Sequence, residues 1–284
     1  MKSRNWQLAH GRSLRLGHEG ILMGILNVTP DSFSDGGRFD AVDRALEQAR
    51  RMIAEGAAII DIGGESTRPG AEPVSAASEQ ERVLPVIRAL SGKDGPVISV
   101  DTYRAQTARL AVEAGAHIVN DVWGLQREPA IARLAAETGA GLVIMHTGRE
   151  RERLADVIAD QRLFLERSLQ IAAGAGVAAE QIMLDPGFGF AKDAHENFAL
   201  MARFGELHAL GYPLLAGTSR KRFVGHATGR EGDGRDIGTA ATTALLRVKG
   251  AAVIRVHDVA INRDAMRIAD AMMAEMPQSK EAGS

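Results

Sequence analysis

The chain alternates between two kinds of segment. Short apolar runs without polar alternation recur at residues 21–26, 57–61, 96–101, 116–120, 141–146, 181–185, 212–216 and 251–257. Strands of a parallel sheet covered on both faces require such runs. The stretches between them carry helical spacing. Within 43–54, Leu46, Ala49 and Ile53 fall on one face. Within 102–114 the face is Ala105, Ala108, Leu110 and Val112, and within 154–172 it includes Val157, Ile158, Leu165, Leu169 and Ile171. About eight evenly spread strand–helix repeats, with no linker between them, predict one α/β domain over 1–284 with its core at about 18–276. The expected form is a (β/α)8 TIM barrel. An open doubly wound sheet is the competing architecture, and the strand count favours the barrel. Residues 6–16 are read as a hairpin that plugs the barrel bottom. The glycine-rich, charged stretch 228–236 reads as a flexible part of the seventh connection. The polar tail after Met276 is expected to fray.

The residues that close each apolar run carry more information. The run ends bear Asn27, Asp61, Asp101, Asn120 and Asp121, His146, Asp185, Thr218 and Ser219, then Arg255 and His257. In a barrel these ends meet at one face, where the strand-to-helix loops build a site. Helix capping accounts for a few such polar residues, but poorly for all eight ends. Asn27 offers either a loop cap or an oxygen for a hard cation such as Mg²⁺, which borrows further oxygens from phosphates and water. The loop after the second run, 63–70, has two glycines for close backbone approach, and Thr67 and Arg68 as donors for an anion. Asp101, Asn120 and Asp185 suit the N–H edges of an aminopyrimidine, although a lone Asp is more often a cap. Asp185 leads into Pro186-Gly187-Phe188-Gly189-Phe190, whose rings can pack on a planar ligand. Ser219-Arg220-Lys221 groups three donors, with a solvated surface as the other reading. Arg255 and His257 lie two apart on a strand and therefore on one face. They suit either a diphosphate or a core ion pair.

Composition narrows the class. The chain has 284 residues, with 45% hydrophobic, 25% charged and a net charge of -2. That balance is ordinary for a globular enzyme and gives no bulk attraction to nucleic acid. There is no cysteine, which removes disulfide, thiolate and zinc–thiolate chemistry. No stretch approaches the ~20 apolar residues of a membrane span. The first residues lack the apolar run of a signal peptide, so the cytoplasm is the expected location.

The ordered segments 23–37, 61–70, 99–102, 120–121, 184–190, 219–221 and 255–257 together resemble the signatures of the dihydropteroate synthases. The similarity runs from about residue 20 to 275. That resemblance implies condensation of (7,8-dihydropterin-6-yl)methyl diphosphate with p-aminobenzoate, releasing diphosphate, in folate synthesis. It implies that Asp101, Asn120, Asp185 and Lys221 hold the pterin, and that Asn27, Thr67, Arg255 and His257 hold the diphosphate, with Mg²⁺ at Asn27. Phe33, Thr67, Arg68, Pro69, Phe190, Ser219, Lys221 and Arg222 would shape the aminobenzoate site. Asp101, Lys221, Arg255 and His257 would carry the catalysis. It further implies a homodimer and ordinary sensitivity to sulfonamides. One departure stands out. Where many relatives carry a Met-x-Gly-x-Pro-type segment after Met145-His146, this chain reads Thr147-Gly148-Arg149-Glu150-Arg151-Glu152-Arg153. A pterin-binding methyltransferase and a non-catalytic pterin-binding protein remain as alternatives on the same fold.

Overall fold

In chain order the strands are β1 (Arg4–Gln7), β2 (Ser13–Leu16), β3 (Ile21–Asn27), β4 (Ile59–Gly63), β5 (Val97–Asp101), β6 (Ile118–Asp121), β7 (Gly141–Met145), β8 (Ile182–Asp185), β9 (Leu214–Ala216) and β10 (Ala251–Val256). The helices are α1 (Arg38–Glu55), α2 (Ala76–Leu90), α3 (Ala105–Glu113), α4 (Ala130–Thr138), α5 (Val157–Gly174), α6 (Ala194–Ala202), α7 (Arg222–Thr228), α8 (Asp236–Val248) and α9 (Val259–Ala274). The computed structural model describes residues 3–29, 38–66, 72, 74–92 and 95–276, without the side chains of 38–40. The expectations for Phe33, Thr67, Arg68, Pro69, the loop 31–37 and the tail lie outside the described residues.

β3 to β10 close into a parallel barrel in the order β10-β3-β4-β5-β6-β7-β8-β9. All eight apolar runs become its strands, so the barrel reading holds over the open sheet. The strands are apolar on both faces because each face has its own core. Leu22, Leu26, Ile60, Ile62, Ile98, Val100, Leu142, Ile144 and Ile254 point outward and pack with the helices. Met23, Ile59, Val97, Ile118, Val143, Met183, Leu215 and Val253 fill the interior. A packed interior of that kind leaves the loops at one end to form the site.

β1 and β2 form the expected antiparallel hairpin. Trp6, Leu8 and Leu16 join the interior cluster, so the hairpin stoppers the barrel. Trp6 is almost wholly buried, and its Nε1–H donates to the Gln181 carbonyl at 2.8 Å, just before β8. Side-chain caps fix the starts of α2, α5, α6 and α9. The Asp156 carboxylate accepts from Ile158 and Ala159 N–H at the head of α5, and Asp193 with Glu196 forms a reciprocal cap on α6. The stretch 228–236 differs from the flexible connection expected. It folds as a 3-10 turn (Gly232–Arg235) leading into α8. Arg235 closes it by donating to the carbonyls of Arg230 and Arg220 at 2.9 and 3.0 Å. Among the described residues no helix is long and apolar enough to cross a membrane.

Candidate active site

Strand register sets the floor of the mouth. Asn27 pairs with Gly63, Gly63 with Asp101, and Asp101 with Asn120. These four positions form one layer at the carboxyl ends of β3 to β6. Asp61 lies one layer deeper, in register with Ile25 and Ser99. Gly63 keeps the layer open. A Cβ there would sit 3.5 Å from Asp101 Cβ and 3.7 Å from Asn27 Oδ1.

Arg255 reaches across from β10 into this layer. Its Nε donates to Asp61 Oδ2 at 2.6 Å and its Nη2 to Asp101 Oδ2 at 2.7 Å. Asn120 Nδ2–H donates to the same Asp61 oxygen at 3.1 Å. Asp61, which the sequence marks as a strand end without giving it a role, thus joins Arg255 to Asn120, and Arg255 carries the link on to Asp101. Its parity was the available signal, because Asp61 falls on the same inward face as Ile59 and Gly63. Asp61 is fully buried, and its Oδ1 has no hydrogen-bond partner among the described residues. Burial pushes the Asp101 carboxyl up to about 7, against the pull of Arg255 and with a push from Asp61. Burial alone would lower the Arg255 pKa, but Asp61 and Asp101 hold it above the ordinary arginine value. The ion-pair reading of Arg255 therefore holds. It is an ion pair in the barrel, and it lines the mouth.

The opposite wall is built by β8 and the loop after it. Asp185 Oδ1 accepts from Gly187 N–H at 2.7 Å, which caps the turn. Burial raises the Asp185 pKa, opposed chiefly by Lys221. Lys221 donates to the Phe188 carbonyl, and its Nζ lies 4.3 Å from the centre of the Phe190 ring. Burial pulls Lys221 down to about 7, with Asp185 resisting and Arg255 assisting. Gly189, at φ +77, passes so close to the Lys221 stem that a Cβ would meet its Cδ at 2.9 Å.

A second ammonium, unforeseen in the sequence, holds the same loop from below. Lys192 Nζ donates to the Gly187 carbonyl and to His146 Nδ1, each at 2.9 Å. On the other side of the ring, Nε2 lies 2.9 Å from Asp160 Oδ2 and 2.8 Å from Arg151 Nη2. Arg151 Nη2 lies 2.5 Å from that oxygen and Nη1 2.9 Å from Asp160 Oδ1. Burial, and then the Lys192 charge, push His146 down to about 3. The His146 strand end is therefore a support under the loop and no part of the mouth.

Ser219 and His257 meet at the ends of β9 and β10. The His257 N–H donates to Ser219 Oγ at 3.1 Å, and that hydroxyl shares a second hydrogen bond with His257 Nδ1 at 2.9 Å. Arg220 turns away from the mouth, at φ +56, and grips Asp236 through Nε and Nη2 at 2.8 and 2.7 Å. Arg222 opens α7 and is exposed. Asp121 is a cap: its oxygens accept from Trp123 and Leu125 N–H at 2.9 and 2.6 Å. The rim carries an apolar patch of Val122, Trp123 and Met145, with Tyr103 and Phe190 against it. Glu65, at the foot of the second loop, accepts from the Tyr103 hydroxyl at 3.0 Å and ion-pairs with Arg104 at 2.7 Å.

Comparison with known proteins agrees with the barrel fold and supplies a family. Residues 23–257 match the model of a family described as pterin binding enzyme. The chain is 49% identical to the dihydropteroate synthase of Bacillus subtilis (strain 168) over 253 residues, which covers 89% of this chain and 88% of that one. A solved structure of dihydropteroate synthase from Clostridium difficile, in the presence of pteroic acid, superposes with a TM-score of 0.88 at 44% identity. It covers 90% of this chain and 98% of that chain. The Xanthomonas albilineans enzyme with 4-aminobenzoic acid gives a TM-score of 0.90 at 41% identity, covering 96% of this chain and all of that one (100%).

Proposed function

The chain belongs to the dihydropteroate synthases, alkyl-transferring enzymes of the pterin binding family, and we propose that its barrel mouth joins a dihydropterin methyl diphosphate to p-aminobenzoate. The observation that carries the assignment of residues is the Asp61–Arg255–Asp101 network facing Asp185 and Lys221. The relatives compared are synthases, which favours displacement of diphosphate over methyl transfer or mere binding.

In this reading Asp101, Asn120, Asp185 and Lys221 hold the pterin by its polar edge. Asn27, Arg255 and His257 face the diphosphate, together with Thr67. The bond between the exocyclic carbon and the diphosphate oxygen breaks first, and its electron pair leaves with the diphosphate. The cation left on the pterin is stabilised by the buried carboxylates beside it, and Arg255 and His257 favour the departing charge. The amine of p-aminobenzoate attacks with its lone pair and then loses a proton. Its neutrality removes any need for a strong base. Phe33, Arg68, Pro69, Phe190, Ser219 and Arg222 border the aminobenzoate, and sulfonamides are expected to compete there.

Among the described residues no cluster of His, Asp or Glu could hold a metal alone. A shared site does fit. Asn27 Oδ1 and Asp101 Oδ2 flank the space a Cβ at Gly63 would fill, and oxygen donors suit Mg²⁺. Asn27 would hold the ion together with substrate oxygens, and Mg²⁺ when bound supplies positive charge to the diphosphate. The proposal includes a cytoplasmic location, in keeping with folate synthesis. It also includes a homodimer, supported by exposed Ile237 and Leu245 on α8 and Ile268 and Met272 on α9. Sedimentation should return twice the chain mass, and a monomer at micromolar concentration would refute that part. The central test is diphosphate release from the pterin diphosphate. It should require both p-aminobenzoate and Mg²⁺, and release indifferent to p-aminobenzoate would overturn the reading.

A further inference from the structure

The departure in the fifth barrel loop leaves one residue without a role. The loop is anchored on both sides of its tip. Arg151 Nε donates to the Thr147 carbonyl at 2.9 Å and its guanidinium grips Asp160. Arg153 Nη1 donates to the Ala191 carbonyl at 2.6 Å and reaches Glu196 Oε1 at 2.7 Å. Glu150, just before these anchors, adopts φ +57, a left-handed conformation that a non-glycine residue takes only when its surroundings impose it. This bend presents Arg149 to the mouth.

There the Arg149 guanidinium carbon lies 4.9 Å from the centre of the Trp123 ring and 4.6 Å from that of Phe190. Its Nη2 is buried and has no hydrogen-bond partner among the described residues. Neighbouring cations differ. Arg104 is neutralised by Glu65 and Glu79, and Lys221 is occupied by the Phe188 carbonyl. Arg127, which also lies over Trp123 at 4.6 Å, is exposed to solvent. A buried guanidinium nitrogen without an acceptor is costly, so an acceptor carried by a ligand gains there more than at a hydrated cation. Burial already pulls the Arg149 pKa below the ordinary arginine value.

We propose that Arg149 is a specificity-determining residue that binds the carboxylate of the aryl amine substrate, while Phe190 beside it packs on the aryl ring. This rests on the synthase reading above. The diphosphate substrate has its cationic partners at the far wall, on β10, so it does not need Arg149. An aryl carboxylate combines a flat ring with a bidentate anion, which a guanidinium between aromatic rings matches.

The test uses steady-state kinetics of the full chain with p-aminobenzoate and with p-aminobenzamide, which keeps the amine and ring but lacks the charge. Arg149→Ala should raise KM for p-aminobenzoate by about 10-fold or more, the scale of a lost charge-assisted bond. KM for the pterin diphosphate should stay within about twofold, and the preference of the wild type for p-aminobenzoate over the amide should collapse. Arg149→Lys should recover part of that preference, because it restores charge without the planar fork. An unchanged KM, an equal rise for the amide, or tighter binding in Arg149→Ala (Arg149 as a plug) would each overturn the proposal. A melting curve matching wild type separates these results from misfolding. If the wild type itself shows no p-aminobenzoate-dependent release of diphosphate, the underlying reading fails instead.

Discussion

Arg255 does two jobs that pull in different directions. It satisfies two buried carboxylates, and it lines the mouth where a diphosphate would leave. Arg255→Met should therefore lose turnover and also about 3–5 kcal/mol of stability, since Asp61 and Asp101 are left buried without their cation. Urea unfolding of Arg255→Met and of Arg255→Met with Asp61→Asn tests this. The double variant should recover part of the stability and none of the turnover. A single variant within about 1 kcal/mol of wild type would show the pair to be loosely solvated. The same buried groups set a pH response. Asp101 must be ionised and Lys221 protonated in the proposed pterin site, and burial brings both to about 7. So kcat/KM for the pterin diphosphate should rise with pH as Asp101 ionises and fall as Lys221 deprotonates, a narrow bell near neutrality. Lys221→Arg should push the alkaline limb upward and leave the acid limb in place. A broad plateau from about pH 6 to 9 in the wild type would disprove the assignment.

At the scale of elements, the loop from Gly187 to Phe190 is held by two ammoniums, Lys221 from the mouth and Lys192 from beneath. Burial, and then the charge of Lys221, pull Lys192 down to about 7. Between about pH 7 and the ordinary lysine pKa near 10.5 the unfolded chain binds the proton that the folded chain has shed. Stability from this group therefore rises with pH across that window. The stability of wild type relative to Lys192→Met should shift in favour of wild type from about pH 7 to 10, as read by chemical denaturation. A constant difference would mean that Lys192 keeps its proton. Strand ends were legible in the sequence because a barrel turns chain position into shared location. Asp101, Asn120, Asp185 and Arg255 could be picked out for that reason. Lys192 and Arg149 were not legible. Each lies in a loop, and only folded neighbours, such as His146 under Lys192 or Trp123 beside Arg149, give it meaning. Asp61 lay between the two cases. Its parity placed it inside, but its partner Arg255 is 194 positions away and pairs with it only once the barrel closes.

Across the whole molecule, the hairpin and the proposed site lie at opposite ends of the barrel. The hairpin β1–β2 fills the amino-terminal opening, and the site occupies the other mouth. Trp6 makes this separation testable. Its ring joins Met23, Ile59, Val97, Ile118 and Met183 in the interior cluster, and its Nε1–H satisfies the Gln181 carbonyl. Trp6→Ala removes the ring and leaves a cavity together with an unmet carbonyl. Removal of such a ring from a close-packed core costs about 3–5 kcal/mol. None of that cost should reach the mouth, because the hairpin packs at the amino-terminal end of the strands, where buried side chains fill the interior. Below its lowered melting point, Trp6→Ala should keep KM for both substrates within about twofold of wild type, since sites far apart without shared partners behave independently. Trp6→Phe should recover most of the packing but not the hydrogen bond. A Trp6→Ala protein of native stability would mean that the hairpin only covers the opening. One with native stability but altered KM would mean that the interior layers transmit strain from base to mouth.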